Sequence, residues 1–448
     1  MLRKRLFILA HQVGDRKFYP TYKKLLEHQW KTYGELIKEQ ERQMRSLVSF
    51  AYGNVPYYHK LFKDLKLVPE DMMRIEDLQQ LPIINKSVIK ENWGDFKPIN
   101  LNEMKYYNRA TGGTTGTPLR YRISKFDRFL HGALMYRGWG YGGYELGDRM
   151  VFLGGASLDI GKKSYLASKS HETVRNIRKL SSFDMGEDEM RKYVDIINSF
   201  KPKFIYGYPS SIYFLSKWIE ENKVRSHLPL AVFTTSENLY QNMRKKIEEV
   251  FSCDVYDGYG LNDGGLSANE CSEHNGLHIS MERSVMEVVD KEGNQLKNGE
   301  GEIIATSLYN YAMPFIRYDT GDVGHIIDDS CSCGRPYKLL KELVGRSVDI
   351  LVTPEGKNVH GWFFLYIFWE YCNGIKEYQV TQEKLDTIVI RIVPEGDFDE
   401  RQLNKIREII KTKSQAWHIE FKFVDKIERT GAAKYKFIIN NIKSQLDR

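Results

Sequence analysis

Between residues 149 and 260, short apolar runs ending in glycine or polar turns alternate with segments of helical periodicity, and this alternation constrains the fold more than any other feature. Met150–Leu153, Phe204–Tyr206, Ala231–Thr234 and Val255–Tyr256 read as strands. The stretches 187–199, 210–222 and 238–250 read as helices, the last with Leu239, Met243, Ile247 and Val250 on one face. Strands separated by helices pair in parallel through crossovers, so an α/β body around a buried parallel sheet is expected. Upstream, Trp30, Tyr33, Ile37, Met44, Leu47 and Ala51 recur at helical spacing and predict helices packed on that body. Beyond about residue 345 the pattern changes. Thr387–Val393 alternates with Ile388, Ile390 and Ile392 on one side, Leu403, Ile406, Ile409 and Ile410 mark a helix, and a further strand covers 419–425. The chain therefore reads as a large N-terminal α/β body, 1–345, and a small C-terminal α+β domain, 346–448.

With 448 residues the chain is long enough for one large domain and a small one. Lys and Arg number 66 against 59 Asp and Glu, a net +7, and the two signs are interleaved. A nucleic-acid binder is thereby disfavoured, while anionic small molecules stay open. The apolar run Leu6–Ala10 after Arg3-Lys-Arg5 is too short for a signal peptide, and no stretch is long enough to span a bilayer. A cytoplasmic protein without stable membrane insertion is expected; contact of Arg3–Arg5 and Leu6–Leu9 with a membrane surface is a further reading. Five cysteines, Cys253, Cys271, Cys331, Cys333 and Cys372, are too few and too irregular for a disulfide framework. Oligomeric state has no sequence signature here.

The run Ala110-Thr-Gly-Gly-Thr-Thr-Gly-Thr-Pro118 carries the clearest chemistry. Glycines let backbone N–H groups approach an anion, and hydroxyls add donors, so Thr111, Gly112, Gly113, Thr114, Thr115 and Gly116 suit phosphate oxygens. A surface linker is the competing reading; Arg109 and Arg120 at its ends and probable strands on both sides favour phosphate. No Gly-Lys-Ser/Thr follows, so it is not a P-loop. A second cluster, Gly138-Trp-Gly-Tyr-Gly-Gly143, matches G-x-G-x-x-G formally but follows a helix-like stretch and reads as a turn.

Four more segments, in order, join the Thr111–Pro118 run in a resemblance to the adenylate-forming superfamily, which holds acyl-CoA synthetases, nonribosomal adenylation domains and firefly luciferase. They are Tyr259-Gly-Leu-Asn-Asp263, Tyr318-Asp-Thr-Gly-Asp322, Gly345-Arg-Ser-Val-Asp349 and Thr430-Gly-Ala-Ala-Lys434. Gly207-Tyr-Pro-Ser210 and Val352-Thr-Pro-Glu-Gly-Lys-Asn-Val359 resemble the phenylacetate–CoA ligase-like branch, which includes capsule-biosynthesis proteins. The resemblance implies the adenylate-forming fold, with the C-terminal domain as a lid. It also implies a reaction in which ATP adenylates a carboxylic acid with release of pyrophosphate and the acyl group passes to CoA, an amine or another acceptor. A role in surface-polysaccharide biosynthesis rests on the branch alone.

The same resemblance implies residue roles. Lys434 supplies the cation for charge on the α-phosphate, and Asp322 accepts from the ribose hydroxyls. Arg346 lies beside the nucleotide, Asp349 is the hinge, Tyr259 and Gly260 border adenine, and Ser236-Glu237 is a turn at the adenine pocket. Asp263 stands where the family usually has Glu; it is one methylene shorter and ligates Mg²⁺ more closely or through water. That departure motivates an alternative function, a catalytically weakened nucleotide-binding scaffold in a biosynthetic complex. Leu119-Arg120 replaces the usual Lys after Pro118, leaving Arg120 as a substitute cation, and Ala433 replaces the usual Gly before Lys434.

Cys331-Ser-Cys333 holds two thiols close together, and Cys271 with His274 and His278 forms a second group about sixty residues earlier. Thiolate and imidazole suit tetrahedral Zn²⁺, but spacing alone leaves a zinc site and a set of reduced thiols both open. The branch resemblance implies a closed, structural Zn²⁺ on Cys271, His278, Cys331 and Cys333, with His274 as the rival imidazole. The acid pocket is expected from 131–160, 206–210 and 235–262, a set rich in Tyr and Gly with His131. The expected cofactors are thus ATP, Mg²⁺, Zn²⁺ and CoA, and the partners a small carboxylic acid and an acyl acceptor.

Overall fold

A computed structural model describes residues 2–110, 119–155, 165–182, 185, 187–346, 350–356, 358–360, 363–364, 367–368, 371–396, 398–429 and 435–442. The described chain divides into two compact units, one running to Leu343 and the other beginning at Val344.

Helices α1 (Leu2–Gly14), α2 (Phe18–His28), α3 (Tyr33–Asn54), α4 (Pro56–Leu65) and α5 (Lys86–Glu91) open the larger unit. A reciprocal cap starts α3: Thr32 Oγ1 accepts from Glu35 N, and the Glu35 carboxylate accepts from Thr32 N at 2.8 Å. Met44, Leu47, Val48 and Ala51 on one face of α3 are fully buried. Trp30 departs from the expected pattern. It sits in the turn before α3, is 58% exposed and lies under the Arg335 guanidinium at 4.9 Å instead of in the core.

Strands β1 (Tyr106–Ala110) and β2 (Arg120–Ser124) pair antiparallel with Ala110 opposite Arg120, which holds the two ends of the Thr- and Gly-rich run side by side. The run itself, 111–118, lies outside the described residues. Next comes α6 (Lys125–Tyr141), a helix that takes in Gly138 and Gly140 where a turn was expected. The reason is contact: a Cβ on Gly138 would come within 2.3 Å of the Asn269 side chain, so the glycine is set by packing.

The alternating region folds as β3 (Met150–Gly154), α7 (Tyr165–Arg175), β4 (Ile177–Ser181), α8 (Glu187–Phe200), β5 (Phe204–Gly207), α9 (Pro209–Glu221), β6 (Ala231–Thr234), α10 (Gln241–Phe251) and β7 (Asp254–Tyr256). The five strands form a parallel sheet in the order β4-β3-β5-β6-β7, buried by helices packed on it. All four expected strands are present; β4, with Arg178 and Lys179 at its centre, was not foreseen. The chain order reverses between β3 and β5. There a Cβ on Gly207 would lie 2.1 Å from the Leu153 carbonyl oxygen, so only glycine allows this approach.

A second sheet contains β8 (Gly258–Gly260), β9 (Ser267–Glu270), β10 (Leu277–Ile279), β11 (Ser284–Val289), β12 (Gly299–Ser307), β13 (Tyr318–Ile327) and β14 (Leu339–Arg346), in the order β11-β12-β13-β14-β10-β9-β8. Its strand pairing brings segments far apart in sequence into one sheet. The smaller unit has the hairpin β15 (Ile350–Val352) and β16 (Asn358–His360), then β17 (Ile375–Lys384), β18 (Thr387–Pro394), α11 (Gln402–Lys411), β19 (His418–Phe423) and β20 (Ile438–Asn440). Its four-stranded sheet runs β19-β18-β17-β20. Ile388, Ile390 and Ile392 of β18 and Ile406 and Ile410 of α11 are fully buried around Trp417, as the alternation predicts.

Candidate active site and metal centre

In an open parallel sheet, ligands bind outside the carboxyl ends of the strands. Gly207 ends β5, Thr234 ends β6, and Tyr259-Gly260 follow β7 by three residues. Ser236, just past β6, has φ +72, a left-handed conformation that a serine adopts only where its surroundings enforce it. Glu237 Oε2 accepts from Ser210 N at 3.2 Å, in the first turn of α9, where unpaired N–H groups favour a carboxylate. The turn 236–237 is thus tied to the Gly207-Tyr-Pro-Ser210 segment of the neighbouring strand.

Tyr259 OH donates to Asp322 Oδ2 at 2.8 Å, and Tyr318 OH donates to Asp263 Oδ2 at 2.9 Å. These bonds join the segments 259–263 and 318–322 across 63 and 55 residues of chain. Asp322 is buried, Asp263 half-buried, and Gly260 and Asn262 are exposed, so the paired carboxylates lie below an open surface. Burial raises the hydroxyl pKa of Tyr259 well above the ordinary value, with Asp322 adding to it. Burial and then Asp263 do the same to Tyr318. Both phenols therefore stay protonated and donating at any working pH. The turn is shaped from within: Asp322 N donates to Thr320 Oγ1 at 3.1 Å, and Thr320 Oγ1 donates to Ile303 O at 2.7 Å.

Sequence reasoning missed the polar group below this surface. Arg283 and Asp127, both fully buried, form a bidentate pair, Nε to Oδ1 and Nη2 to Oδ2, each 2.9 Å. Arg283 Nη1 donates to His131 Nδ1 at 3.2 Å, and Ser267 Oγ lies 3.3 Å from the same nitrogen. Burial, then Arg283 and Arg128, push the His131 pKa down to about 3, so the ring is neutral. A Cβ on Gly260 would meet His131 Cε1 at 3.8 Å, which puts His131 beside the Tyr259-Gly260 segment. No motif marks Asp127 or Arg283; a lone acid in a helix and a lone arginine before a strand have no pattern.

Of the remaining sequence-derived site residues, Thr111, Gly112, Gly113, Thr114, Thr115, Gly116, Asp349 and Lys434 lie outside the described residues. Arg346 closes β14, with its side chain outside them too. Arg120 is exposed at the start of β2.

Cys271, His278, Cys331 and Cys333 come together, each offering one ligand atom and all four atoms within 4.8 Å of one another. The Cys271 and Cys331 sulfurs are 3.7 Å apart, and Cys333 Sγ is 3.4 Å from His278 Nε2. The first distance is far beyond a disulfide bond. It equals the edge of a tetrahedron of thiolates about 2.3 Å from a central zinc, roughly 3.7–3.8 Å. Burial, then Arg335 and Arg137, push the His278 pKa down to about 4, so it presents a neutral imidazole. His274 instead faces Glu270, Nδ1 to Oε1 3.2 Å, and is not part of the cluster. Three thiols and one imidazole leave no open position on a four-coordinate ion, the character of a structural site.

Together these features define the adenylate-forming enzyme fold: a parallel sheet, a second sheet carrying the paired carboxylates, and a small C-terminal α+β unit. The profile of the CapK C-terminal domain matches residues 351–441. The chain is 25% identical over 447 residues to protein CapK of Staphylococcus aureus, covering 97% of this chain and 95% of that protein. It is 27% identical over 391 residues to a phenylacetate-coenzyme A ligase of Thermus thermophilus, covering 81% and 80%. Among solved structures, 2-hydroxyisobutyryl-CoA ligase in its postadenylation state matches with a TM-score of 0.72 over 93% of each chain at 18% identity. ATP-bound MatB from Rhodopseudomonas palustris matches at 0.51 over 76% of this chain and 67% of its own, at 16% identity. The expected fold and the resemblance to the phenylacetate–CoA ligase-like branch of the adenylate-forming superfamily are both borne out.

Proposed function

We propose that the protein is an AMP-forming carboxylate ligase that adenylates a small carboxylic acid and passes the acyl group to CoA. The observation that carries this reading is the pair of tyrosine–carboxylate bonds, which fixes Asp322 and Asp263 below the open surface at Gly260 and Asn262, in the two segments with which the resembling family handles nucleotide. Tyr259 orients the Asp322 carboxylate for the ribose hydroxyls. Tyr318 orients Asp263, a carboxylate suited to Mg²⁺ directly or through water. Ser236-Glu237 and Gly260 border the base, the Thr111–Gly116 run and Arg120 meet the phosphates, and Lys434, with Arg346, counters charge at the α-phosphate. ATP supplies the phosphoanhydride that is cleaved. In the first step a carboxylate oxygen bonds to the α-phosphorus and pyrophosphate leaves; in the second a thiol attacks the acyl carbon and AMP leaves.

A place in surface-polysaccharide biosynthesis is supported by the similarity to CapK across 97% of the chain. Cys271, His278, Cys331 and Cys333 hold a structural Zn²⁺ that ties β10 to the 331–333 loop ahead of β14. The test of the ligase is incubation with ATP, Mg²⁺ and a panel of carboxylic acids, with mass detection of acyl adenylate and, once CoA is added, of thioester. Adenylate from at least one acid is expected. Nucleotide binding without adenylate from any acid would replace the ligase by the scaffold reading.

A further inference from the structure

Helix α1 has two faces of opposite character in contact with different surroundings. Phe7 and His11, 1% and 6% exposed, are seated against Phe18 and Tyr136, with His11 Nε2 accepting from Tyr136 OH at 3.1 Å. On the other side Leu6, Leu9 and Val13 are 43%, 59% and 84% exposed. At about 100° per residue they fall within an arc of roughly 60°, a continuous apolar stripe on the solvent side, where a surface helix normally carries polar residues. The helix contains no acidic residue. Arg3 and Arg5, both exposed, flank the stripe on its two sides, while Lys4 turns back to Glu145 at 3.0 Å. Just past the helix, Lys17, Lys105 and Lys125, three cations against the single carboxylate of Asp15, rim an open cleft of about 370 Å³ lined by Phe126, Tyr309 and Tyr311.

We propose that α1 docks the protein on an anionic lipid surface, with Leu6, Leu9 and Val13 among the acyl-chain ends of the headgroup layer and Arg3 and Arg5 on lipid phosphates. Charge complementarity selects this occupant: an apolar stripe bordered by cations, without an acid in the helix, and followed by a net-cationic and aromatic surface, matches the polarity profile of an anionic membrane. Arginine suits the position because its stem covers apolar surface while its head reaches the phosphates. Three apolar side chains give reversible adsorption, and among the described residues no helix is long and apolar enough to cross a membrane.

The test is co-sedimentation of the full chain with phosphatidylcholine vesicles, with and without phosphatidylserine. Binding to the phosphatidylserine vesicles, reversed by salt, is expected. Leu6→Glu with Leu9→Glu, and separately Arg3→Glu with Arg5→Glu, weaken it about tenfold or more. Because these side chains point to solvent, far-UV circular dichroism and the melting temperature stay unchanged. No binding to phosphatidylserine vesicles, or binding untouched by the Leu6/Leu9 pair, overturns the proposal. So does self-association that the Leu6/Leu9 pair abolishes in the absence of any vesicle binding, since the stripe is then a contact between protein copies.

Discussion

Tyr318 and Tyr259 are the residues on which the site's geometry turns, and neither partnership is visible in the sequence. The motifs named both tyrosines, yet a hydrogen bond spanning 55 residues is decided by how β8 and β13 are threaded into one sheet. Tyr318→Phe leaves the fully buried ring and removes only its donor to Asp263, a bond to a charged group worth about 1.5–3 kcal/mol. The expected result is a fall of roughly tenfold to a hundredfold in kcat/KM for ATP with a melting temperature within a few degrees of wild type. An unchanged kcat/KM would separate Tyr318 from the chemistry. His11 makes a prediction of a different kind. Burial, then Arg175, push its pKa down from 6.5 to about 4. Between those values the unfolded chain binds a proton that the folded one refuses, so stability is full above pH 6.5 and falls as pH drops toward 4, by up to about 3 kcal/mol. Chemical denaturation across that range shows the loss, and His11→Gln makes it shallower, the remainder coming from His131 and His278, whose pKa values burial lowers in the same direction; an equal slope in the variant would contradict the assignment.

Elements were legible where a single period ran through them. The strands at 150, 204, 231 and 255 announce themselves as short apolar runs, buried on both faces in the central β5 and β6, and the helix over 187–199 because one buried face repeats. β4 does not, because Arg178 and Lys179 break the apolar run, and the C-terminal part of α6 reads as a turn because Gly138 serves a contact with Asn269 that only the fold creates. The buried pairs that fasten elements together are likewise silent in sequence. Arg283 and Asp127 join the segment before β11 to α6 with no exposed atom surface to soften the loss of either. Arg283→Met strands a buried carboxylate and should cost about 3–5 kcal/mol in denaturant unfolding, whereas Arg283→Met with Asp127→Leu should recover much of that. A double variant as unstable as the single one would mean that the helix is held by something else. The thiol–imidazole cluster is an element-scale clamp of the same sort, and its sequence spacing left its imidazole undecided because only the pairing of β10 with β14 turns His278 toward Cys333. Purified protein should carry one zinc per chain by mass spectrometry, and Cys331→Ser should lose it and melt several degrees lower; a metal-free chain whose melting ignores that substitution rules the site out.

At the scale of the molecule, a change of periodicity separated a large α/β part from a small α+β part, and the order of five short motifs indicated the chemistry. Neither the sheet orders nor the burial of Asp322 followed from that order, because non-local strand pairing is not written in local pattern. The apolar outer stripe of α1 is the reverse case: its residues were visible, but only the fold shows that Phe7 and His11, and not Leu6 and Leu9, face inward. The central claim is that this whole assembly makes acyl adenylates. ATP–pyrophosphate exchange by the intact chain in the presence of its acid addresses it most directly, compared with Lys434→Ala and with Asp322→Ala. Acid-dependent exchange by the wild type, reduced at least about a hundredfold in both variants, is the predicted result. Exchange that persists undiminished in Lys434→Ala, or nucleotide binding with no exchange for any acid, would contradict it.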